Sequence, residues 1–460
     1  MTMSNVNEAD APLILFVTLG CAKNEVDTDR MRSLLLRAGY GEADDVADAD
    51  AVIVNTCSFL ASAASESIER TLELAEAARE GVRERPIVMC GCVPSRYGDD
   101  LPAELPEVAA FVRADAEDGI VGVIDGVLGR ESLVPAAEGS AAGPLVEPLR
   151  TVEGASAYIK ISDGCDRFCS FCAIPYIRGR YASRPYNEIV AEVKSLAEQG
   201  VREFVLIGQD TGIWGKDLGE DDTLASLLVR LAEVVRPYGA WLRVLYLQPE
   251  GMTDELIAAI RDTPEVLPYI DMPIQHCNAR VLKSMNRSGS AEEYSELFAR
   301  LRREIPGMVL RTTGMAGFPG ETDDEFEELV EFISKEEFDY TSVFAYSPEE
   351  GTRGAEMDGQ VDEETKLERT QRLIDIAEEL GFSATASHVG EVVDVIIDGV
   401  DTDGDEPELI GHAWFQAPDC DGAVHIPEGE ASVGDVVRVL LTEAFCYELE
   451  GEIVPSDEEA

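Results

Sequence analysis

Basic residues are scarce: 37 Lys and Arg stand against 91 Asp and Glu, for a net charge of −54. Such a surface repels nucleic-acid phosphates and favours basic partners. Whole proteomes can be acidic, so the distribution decides more than the total. From His388 to Ala460 there are 20 acidic residues and one basic residue, Arg438, a far steeper ratio than that of the chain. Histidine is rarer still, with four in all: His276, His388, His412 and His425. The opening stretch, MTMSNVNEADAP, has no basic region before an apolar one, which excludes a secretory signal. The first apolar run, Leu13 to Val17, is too short to cross a bilayer. No internal repeat is evident. Without leader or membrane span, the ten cysteines point to metal ligation in a reducing compartment rather than to disulfides. A cytoplasmic location is expected, with no membrane partner.

What is present is a folded chain of 460 residues and 45% hydrophobic content, enough for two to four domains. Residues 12–128 alternate strand and helix patterns. Apolar runs at 13–20, 51–56 and 86–91 end at Cys21, Cys57 and Cys92, with helical stretches at Glu25–Ala38 and Ala61–Arg79. This alternation predicts an open parallel α/β sheet, in which ligands gather beyond the carboxyl ends of the strands. The three cysteines lie 36 and 35 residues apart, and each terminates a strand, so they converge on one point. Three thiolates there make a cluster site with one open iron. The bland alternative is three unrelated buried thiols, which cores accept readily. Cys90 rivals Cys92 as third ligand, because strand residues i and i+2 share a face. Gly91 offers the close backbone turn a cluster needs, which favours Cys92.

Residues 129–150, rich in Gly, Ala, Pro and Ser, read as a linker. Six strand patterns follow in 151–386, at 157–161, 203–208, 241–247, 267–272, 309–317 and 340–346, with amphipathic helices such as 323–336 between them. Six βα units predict an incomplete (βα)6 barrel, open to a large substrate. The first strand leads into DGCDRFCSFCAIPYIRGR, where Cys165, Cys169 and Cys172 have the spacing C-x3-C-x2-C. Three thiolates so spaced can hold a [4Fe–4S] cubane with one iron open. A structural zinc knuckle is the alternative, but zinc prefers four ligands in C-x2-C pairs, and every histidine lies more than 100 residues downstream. The motif resembles that of radical S-adenosylmethionine (SAM) enzymes, where the open iron chelates SAM and an electron splits it into a carbon radical. After the fifth strand, GFPGE provides Gly317 and Gly320 for close approach to SAM and Glu321 to bond its polar groups; a plain turn is the alternative. A long helix at 362–380 ends this series. Five short strand patterns in 388–455 predict a small all-β barrel, and the tail PSDEEA reads as disordered. Cys90, Cys277, Cys420 and Cys446 read as packing residues.

TLGCAKNEVDTDRM, VNTCSFLASAASESIE, MCGCVPSR, DGCDRFCSFCAIPYIRGRYASR and RTTGMAGFPGET, with the terminal TRAM-like barrel, together resemble the methylthiotransferase family of radical SAM enzymes. The resemblance covers nearly all of residues 12–455. It implies that Cys21, Cys57 and Cys92 bind an auxiliary [4Fe–4S] cluster, and that Cys165, Cys169 and Cys172 bind the SAM cluster. Two substrate classes occur in the family: a tRNA adenosine, or an aspartate of small-subunit ribosomal protein twelve. GQDTG, LRVLYLQPEGMTDELI, MPIQHCNARVLKSMNR and FQAPDCDGAVHI resemble the ribosomal-protein branch, although MCGC, GQDTG and MPIQH depart from its pattern in single residues. The acidic terminal barrel agrees, since a tRNA-docking module needs Lys and Arg, whereas ribosomal proteins are basic. The resemblance further implies that SAM is used twice, as methyl donor to the auxiliary cluster and as radical source, by a monomer. The electron donor such chemistry requires has no signature in the sequence. An Fe–S carrier would explain the cysteines but not a whole SAM barrel.

Overall fold

The computed structural model describes residues 11–79, 85–130, 150–152, 154–219, 221–402 and 407–455. The interior of the predicted linker and the last five residues of the PSDEEA tail lie outside these. The chain divides into two compact units. One takes the described residues up to Thr151 together with Asp163–Asp166 and Cys172–Tyr181; the other takes Val152–Ser162, Arg167–Phe171 and Ala182 onward.

The first unit is a parallel sheet of β1 (Leu13–Thr18), β2 (Gly41–Glu42), β3 (Ala51–Thr56), β4 (Ile87–Gly91) and β5 (Val108–Arg113), in the order β2-β1-β3-β4-β5. The central strand β3 is buried at all six positions. Its alternation feeds two cores. Val52 and Val54 pack with Leu74 and Ala75 of the helix Ala61–Arg79, while Ile53 packs with Met31 and Leu35 of the helix Ala22–Arg37. Both faces are therefore covered, which is why the strand reads as an unbroken apolar run. Three strands and both helices stand where the sequence pattern puts them. The strands β2 and β5 had not been anticipated: β2 is two residues long, and VAAFVR alternates too weakly, with only two fully buried positions.

The second unit begins with β6 (Ser156–Lys160). A two-residue ribbon, β7 (Ser162–Asp163) with β8 (Ala182–Ser183), brackets the cysteine loop. Then come β9 (Glu203–Ile207), β10 (Trp241–Val244), β11 (Val266–Gln275), β12 (Val309–Ala316) and β13 (Tyr340–Ala345). With β6 these form one sheet ordered β13-β12-β11-β10-β9-β6, every pair parallel, so each successive βα unit adds one strand at the same edge. This is the incomplete (βα)6 barrel expected. Leu227, Leu228 and Leu231, from one face of the helix Leu224–Val235, join Phe298, Phe326, Phe332 and Phe338 in its core. Each such side chain contributes about 1.5–3 kcal/mol by leaving water. The helix Asp323–Glu336 starts at a capping box in which Thr322 and Glu325 bond each other's backbone N–H.

The same unit ends in a closed barrel, β14-β15-β16-β18-β17, made of β14 (Val392–Asp401), β15 (Glu408–Ala413), β16 (Val424–Ile426), β17 (Val436–Ala444) and β18 (Leu449–Ile453). Its strands cross so closely that a Cβ on Gly411 would lie 2.2 Å from the Ile396 carbonyl oxygen. This barrel docks on the N-terminal halves of the sheet strands through buried charge. Glu203, at the start of β9, accepts from Arg243 Nε at 2.6 Å and faces His412 Nε2 at 2.9 Å. His412 Nδ1 meets Asp398 at 2.6 Å. Asp421, from the loop joining β15 to β16, accepts from Tyr269 and, at 3.0 Å, from Arg311. No helix among the described residues is long and apolar enough to cross a membrane.

Candidate metal centres

In the first unit, three strand ends bring Cys21, Cys57 and Cys92 together. Cys57 directly follows β3, and Cys92 follows β4. Two glycines make room. Gly20 has φ +107°, and a Cβ on it would lie 2.6 Å from Cys57 Cβ and 3.1 Å from its sulfur. Gly91 has φ +91°, and a Cβ there would lie 2.3 Å from Asn55 Oδ1. Only glycine reaches such backbone without strain. Asn24 Oδ1 stands 3.9 Å from Cys21 Sγ and 4.0 Å from Cys92 Sγ. Burial pushes the Cys57 thiol up, and charge on Cys21 adds to this. Burial pushes Cys92 up to about 11, against the pull of Arg178. Such thiols hold their protons until a metal displaces them.

Cys90 is not part of this group. The strand ends at Gly91, whose positive φ turns the chain into a helix, so positions 90 and 92 no longer share a face. Cys90 is fully buried with Ile14, Met31 and Leu35 on the side of the helix Ala22–Arg37. No three His, Cys, Asp or Glu among the described residues converge tightly enough for a single ion. A cubane gives each thiolate an iron of its own and asks for no such convergence.

Cys165, Cys169 and Cys172 are half-buried on one loop after β6. Gly164 has φ +72°, and a Cβ there would lie 2.2 Å from the Arg180 carbonyl oxygen. Cys165 N donates to Gly179 O at 3.2 Å. Within the second unit, the Arg167–Phe171 stretch is clasped from several βα loops. Arg167 donates to Asp210 at 2.5 Å and Glu250 at 3.0 Å, Asn286 Nδ2 donates to the Arg167 and Phe168 carbonyls, and Ser170 N donates to Met285 O at 2.9 Å. Burial pushes Asp210 up despite Arg167.

Gly317, Gly320 and Glu321 form a turn after β12 that braces itself. Glu321 Oε2 accepts from Gly317 N at 2.8 Å and Phe318 N at 3.2 Å, while Oε1 accepts from Arg369 at 2.8 Å. Both oxygens are thus engaged in holding the turn. Gly320 N donates to Gly359 O at 2.8 Å.

Sequence reasoning missed a set of buried polar atoms at the same end of the sheet. Ser162 Oγ, Asp210 Oδ1, Gln248 Oε1 and His276 Nε2 have no hydrogen-bond partner among the described residues. Each lies just past the carboxyl end of a strand, and His276 is wholly buried. His276 Nδ1 accepts from Asn278 N at 3.0 Å, so the ring proton sits on Nε2 as a donor without an acceptor. Burial pushes His276 down to about 4, which keeps the ring neutral. Buried polar atoms left unmatched are uncommon, and these four gathered at strand carboxyl ends offer hydrogen bonds that a ligand or an ordered water can meet. The sequence signal was available in polar residues one to four positions beyond β9, β10 and β11.

The radical SAM superfamily matches residues 159–333, the uncharacterized protein family UPF0004 residues 14–113, and the TRAM domain residues 389–454. A protein of Synechococcus sp. (strain RCC307), named ribosomal protein uS12 methylthiotransferase RimO, is 40% identical over 465 residues, 99% of this chain and 93% of its own. Proteins of the same name from Thermosynechococcus vestitus and Geobacter sulfurreducens are 41% and 40% identical, over 97% and 98% of this chain and 97% and 100% of theirs. The chain belongs to the RimO methylthiotransferase family. That family consists of transferases, and the radical SAM match brings an iron–sulfur cluster and SAM as cofactors. Among solved structures, the radical SAM methyltransferase TsrM of Kitasatospora setae aligns with a TM-score of 0.56 at 16% identity, over 86% of this chain and 78% of its own. The cobalamin-dependent enzyme OxsB aligns with a TM-score of 0.52 at 10% identity, over 80% and 56%. At those identities the likeness is one of fold.

Of the remaining cysteines, Cys277 is buried and donates to Glu328 O, a packing role. Cys420 and Cys446 are exposed and line one cavity of about 240 Å³ beside Arg311 and Tyr447. The expectation that these two are packing residues is corrected by their exposure.

Proposed function

We propose that this chain methylthiolates the β-carbon of an aspartate in ribosomal protein uS12, using two [4Fe–4S] clusters in the cytoplasm. The observation that carries this reading is identity of about 40% to uS12 methylthiotransferases along essentially the whole chain, with cysteines at both expected triads. Cys165, Cys169 and Cys172 would hold the SAM cluster, and Cys21, Cys57 and Cys92 the auxiliary one. When bound, the first supplies a carbon radical able to break an unactivated C–H bond, and the second supplies a methylated sulfur.

The protein's own part is to position and exclude. The clasp of Arg167 by Asp210 and Glu250 holds the Cys169 stretch in place. The Gly317–Glu321 turn offers backbone to SAM, and the unmatched atoms of Asp210, Gln248 and His276 would bond its polar groups or those of the substrate. Exposed acids on the terminal barrel, among them Glu391, Asp394, Glu428, Glu430, Asp435 and Glu443, suit a basic protein and oppose tRNA phosphates.

Mass spectrometry of uS12 and of tRNA from cells lacking this gene tests the substrate. A methylthio group lost from uS12 alone is expected; one lost from tRNA alone overturns the reading. Reconstituted protein should contain about eight irons per chain, two cubanes. A single turnover should release methionine, 5′-deoxyadenosine and S-adenosylhomocysteine. Absence of the last would remove the methyl-donor half.

A further inference from the structure

Arg178 lies six residues after the last cysteine of the C-x3-C-x2-C motif, yet its side chain belongs to the first unit's cysteine site. Cys92 packs against Ala173 and Ile177 of the same segment. The guanidinium is 3% exposed. Nη2 donates to Asn24 Oδ1 at 2.8 Å, the oxygen that faces the sulfurs of Cys21 and Cys92 at 3.9 and 4.0 Å. Asn24 cannot turn away, because its Nδ2 donates to Leu19 O at 2.8 Å and Thr56 O at 2.9 Å. Nη1 donates to Asp27 at 2.9 Å and lies 3.2 Å from Asp163.

Burying a guanidinium is costly without compensation. Asp27, equally buried, offsets part of that cost, whereas Asp163 is 32% exposed and solvent-screened. The cation therefore sits one amide oxygen away from two of the three sulfurs. A cubane held by three thiolates is anionic, and more so once an anionic sulfur occupies its open iron. We propose that Arg178 is the counter-cation of the Cys21–Cys57–Cys92 site and favours an anionic sulfur ligand, a sulfide or a thiolate, at its open position. This rests on the two-cluster reading above. Arg178 is a positioning residue: it acts through charge and through Asn24, not by touching the substrate.

The test uses the full chain with both clusters reconstituted. Methanethiolate is titrated in while the auxiliary-cluster signal is followed by electron paramagnetic resonance, and the reduction midpoint of that signal is measured. Arg178→Gln should keep its iron, raise the half-saturating methanethiolate concentration roughly tenfold and lower the midpoint, because an adjacent cation stabilises the reduced cluster. Asp27→Asn strips the cation of its buried partner and should move both readings the opposite way. Arg178→Lys should stay close to the unmodified protein. If Arg178→Gln loses iron, the double variant Asp27→Asn/Arg178→Gln, which buries no lone charge, replaces it with a shift in the same direction but smaller, the loss of Asp27 partly offsetting that of Arg178. The proposal is overturned if an iron-replete variant leaves both readings unchanged, if the two single variants shift in the same direction, or if the double variant also loses its iron. Failure of the two-cluster reading looks different: the unmodified protein would then hold only about four irons, unaffected by Cys21→Ala.

Discussion

The two ends of the six-stranded sheet put buried polar groups to different uses. At the amino-terminal end, carboxylates are paired with cations and hydroxyls: Glu203 with Arg243 and His412, Asp421 with Arg311 and Tyr269. Arg243 Nη1, Ser156 Oγ and Thr341 Oγ1 are left there without partners among the described residues. At the carboxyl end, Asp210 Oδ1, Gln248 Oε1 and His276 Nε2 are left without partners among the described residues. The first end is closed by the terminal barrel, and its interactions cement two folded parts. The second end stores unmet hydrogen bonds, which a ligand can supply. The same strands thus separate stability from chemistry, as expected of barrels whose sites form at the carboxyl ends.

The contrast is broken most severely at the matched end. Arg243→Met leaves Glu203 buried, with His412 as its remaining cation. Removing one partner of a fully buried pair costs about 3–5 kcal/mol, so the denaturation midpoint of the second unit should fall steeply. SAM cleavage per folded molecule should hold steady, since the pair sits at the far end of the strands. A variant of unaltered stability and impaired cleavage would mean that this end takes part in the chemistry.

His412 sharpens the same point through pH. Against the cost of burial, Glu203 and Asp398 raise it from 6.5 to about 9. The folded state therefore holds a proton that the unfolded chain releases. The resulting stabilisation, on the order of 3 kcal/mol, is fully present below about pH 6.5, declines from there and is gone above about 9. Glu203, lowered to about 2 mainly by Arg243 against burial, contributes above about 4.5 and is lost as pH falls through 2. Thermal midpoints measured from pH 6 to 10 should fall, and His412→Gln should flatten that slope. An equal slope in the variant would show that the imidazole carries no charge at the interface.

Most of the fold was legible because its signals are local. Apolar runs capped by cysteine at 21, 57 and 92, and six strand–helix repeats, need only short windows to read. The matched end was illegible because its partners are far apart in sequence: 209 residues separate Glu203 from His412, and 110 separate Arg311 from Asp421. FQAPDCDG was readable as a family signature, but Asp421 gains its meaning only when the loop meets Tyr269. Gly91 favoured Cys92 over Cys90 in the sequence, and its positive φ marks where the strand ends.

At the open end, His276→Leu should act the other way round from Arg243→Met. The substitution removes a buried N–H that has no acceptor, and also the Nδ1 to which Asn278 N donates, so the two effects offset and stability should change little. The apparent KM for SAM or for uS12 should rise roughly tenfold, the size of one lost hydrogen bond to a ligand. A fall in stability with unchanged KM would show that Nε2 is satisfied in the empty protein and is no ligand donor.

The smallest effect belongs to the helix that follows the Gly317–Glu321 turn. Thr322 caps it and exchanges hydrogen bonds with Glu325, which also holds Arg280. Thr322→Ala should cost about 1 kcal/mol. Whether it also weakens SAM binding depends on what fixes the turn. Glu321 is tied to Gly317, Phe318 and Arg369, and Gly320 O accepts from Arg280 at 2.6 Å, which Glu325 holds. None of these contacts uses the Thr322 side chain, so the turn should keep its shape and KM for SAM should not move. If KM rose with the loss of stability, the cap rather than Glu321 would be holding the backbone that faces the ligand, and stability and ligand binding would not be separable at this end.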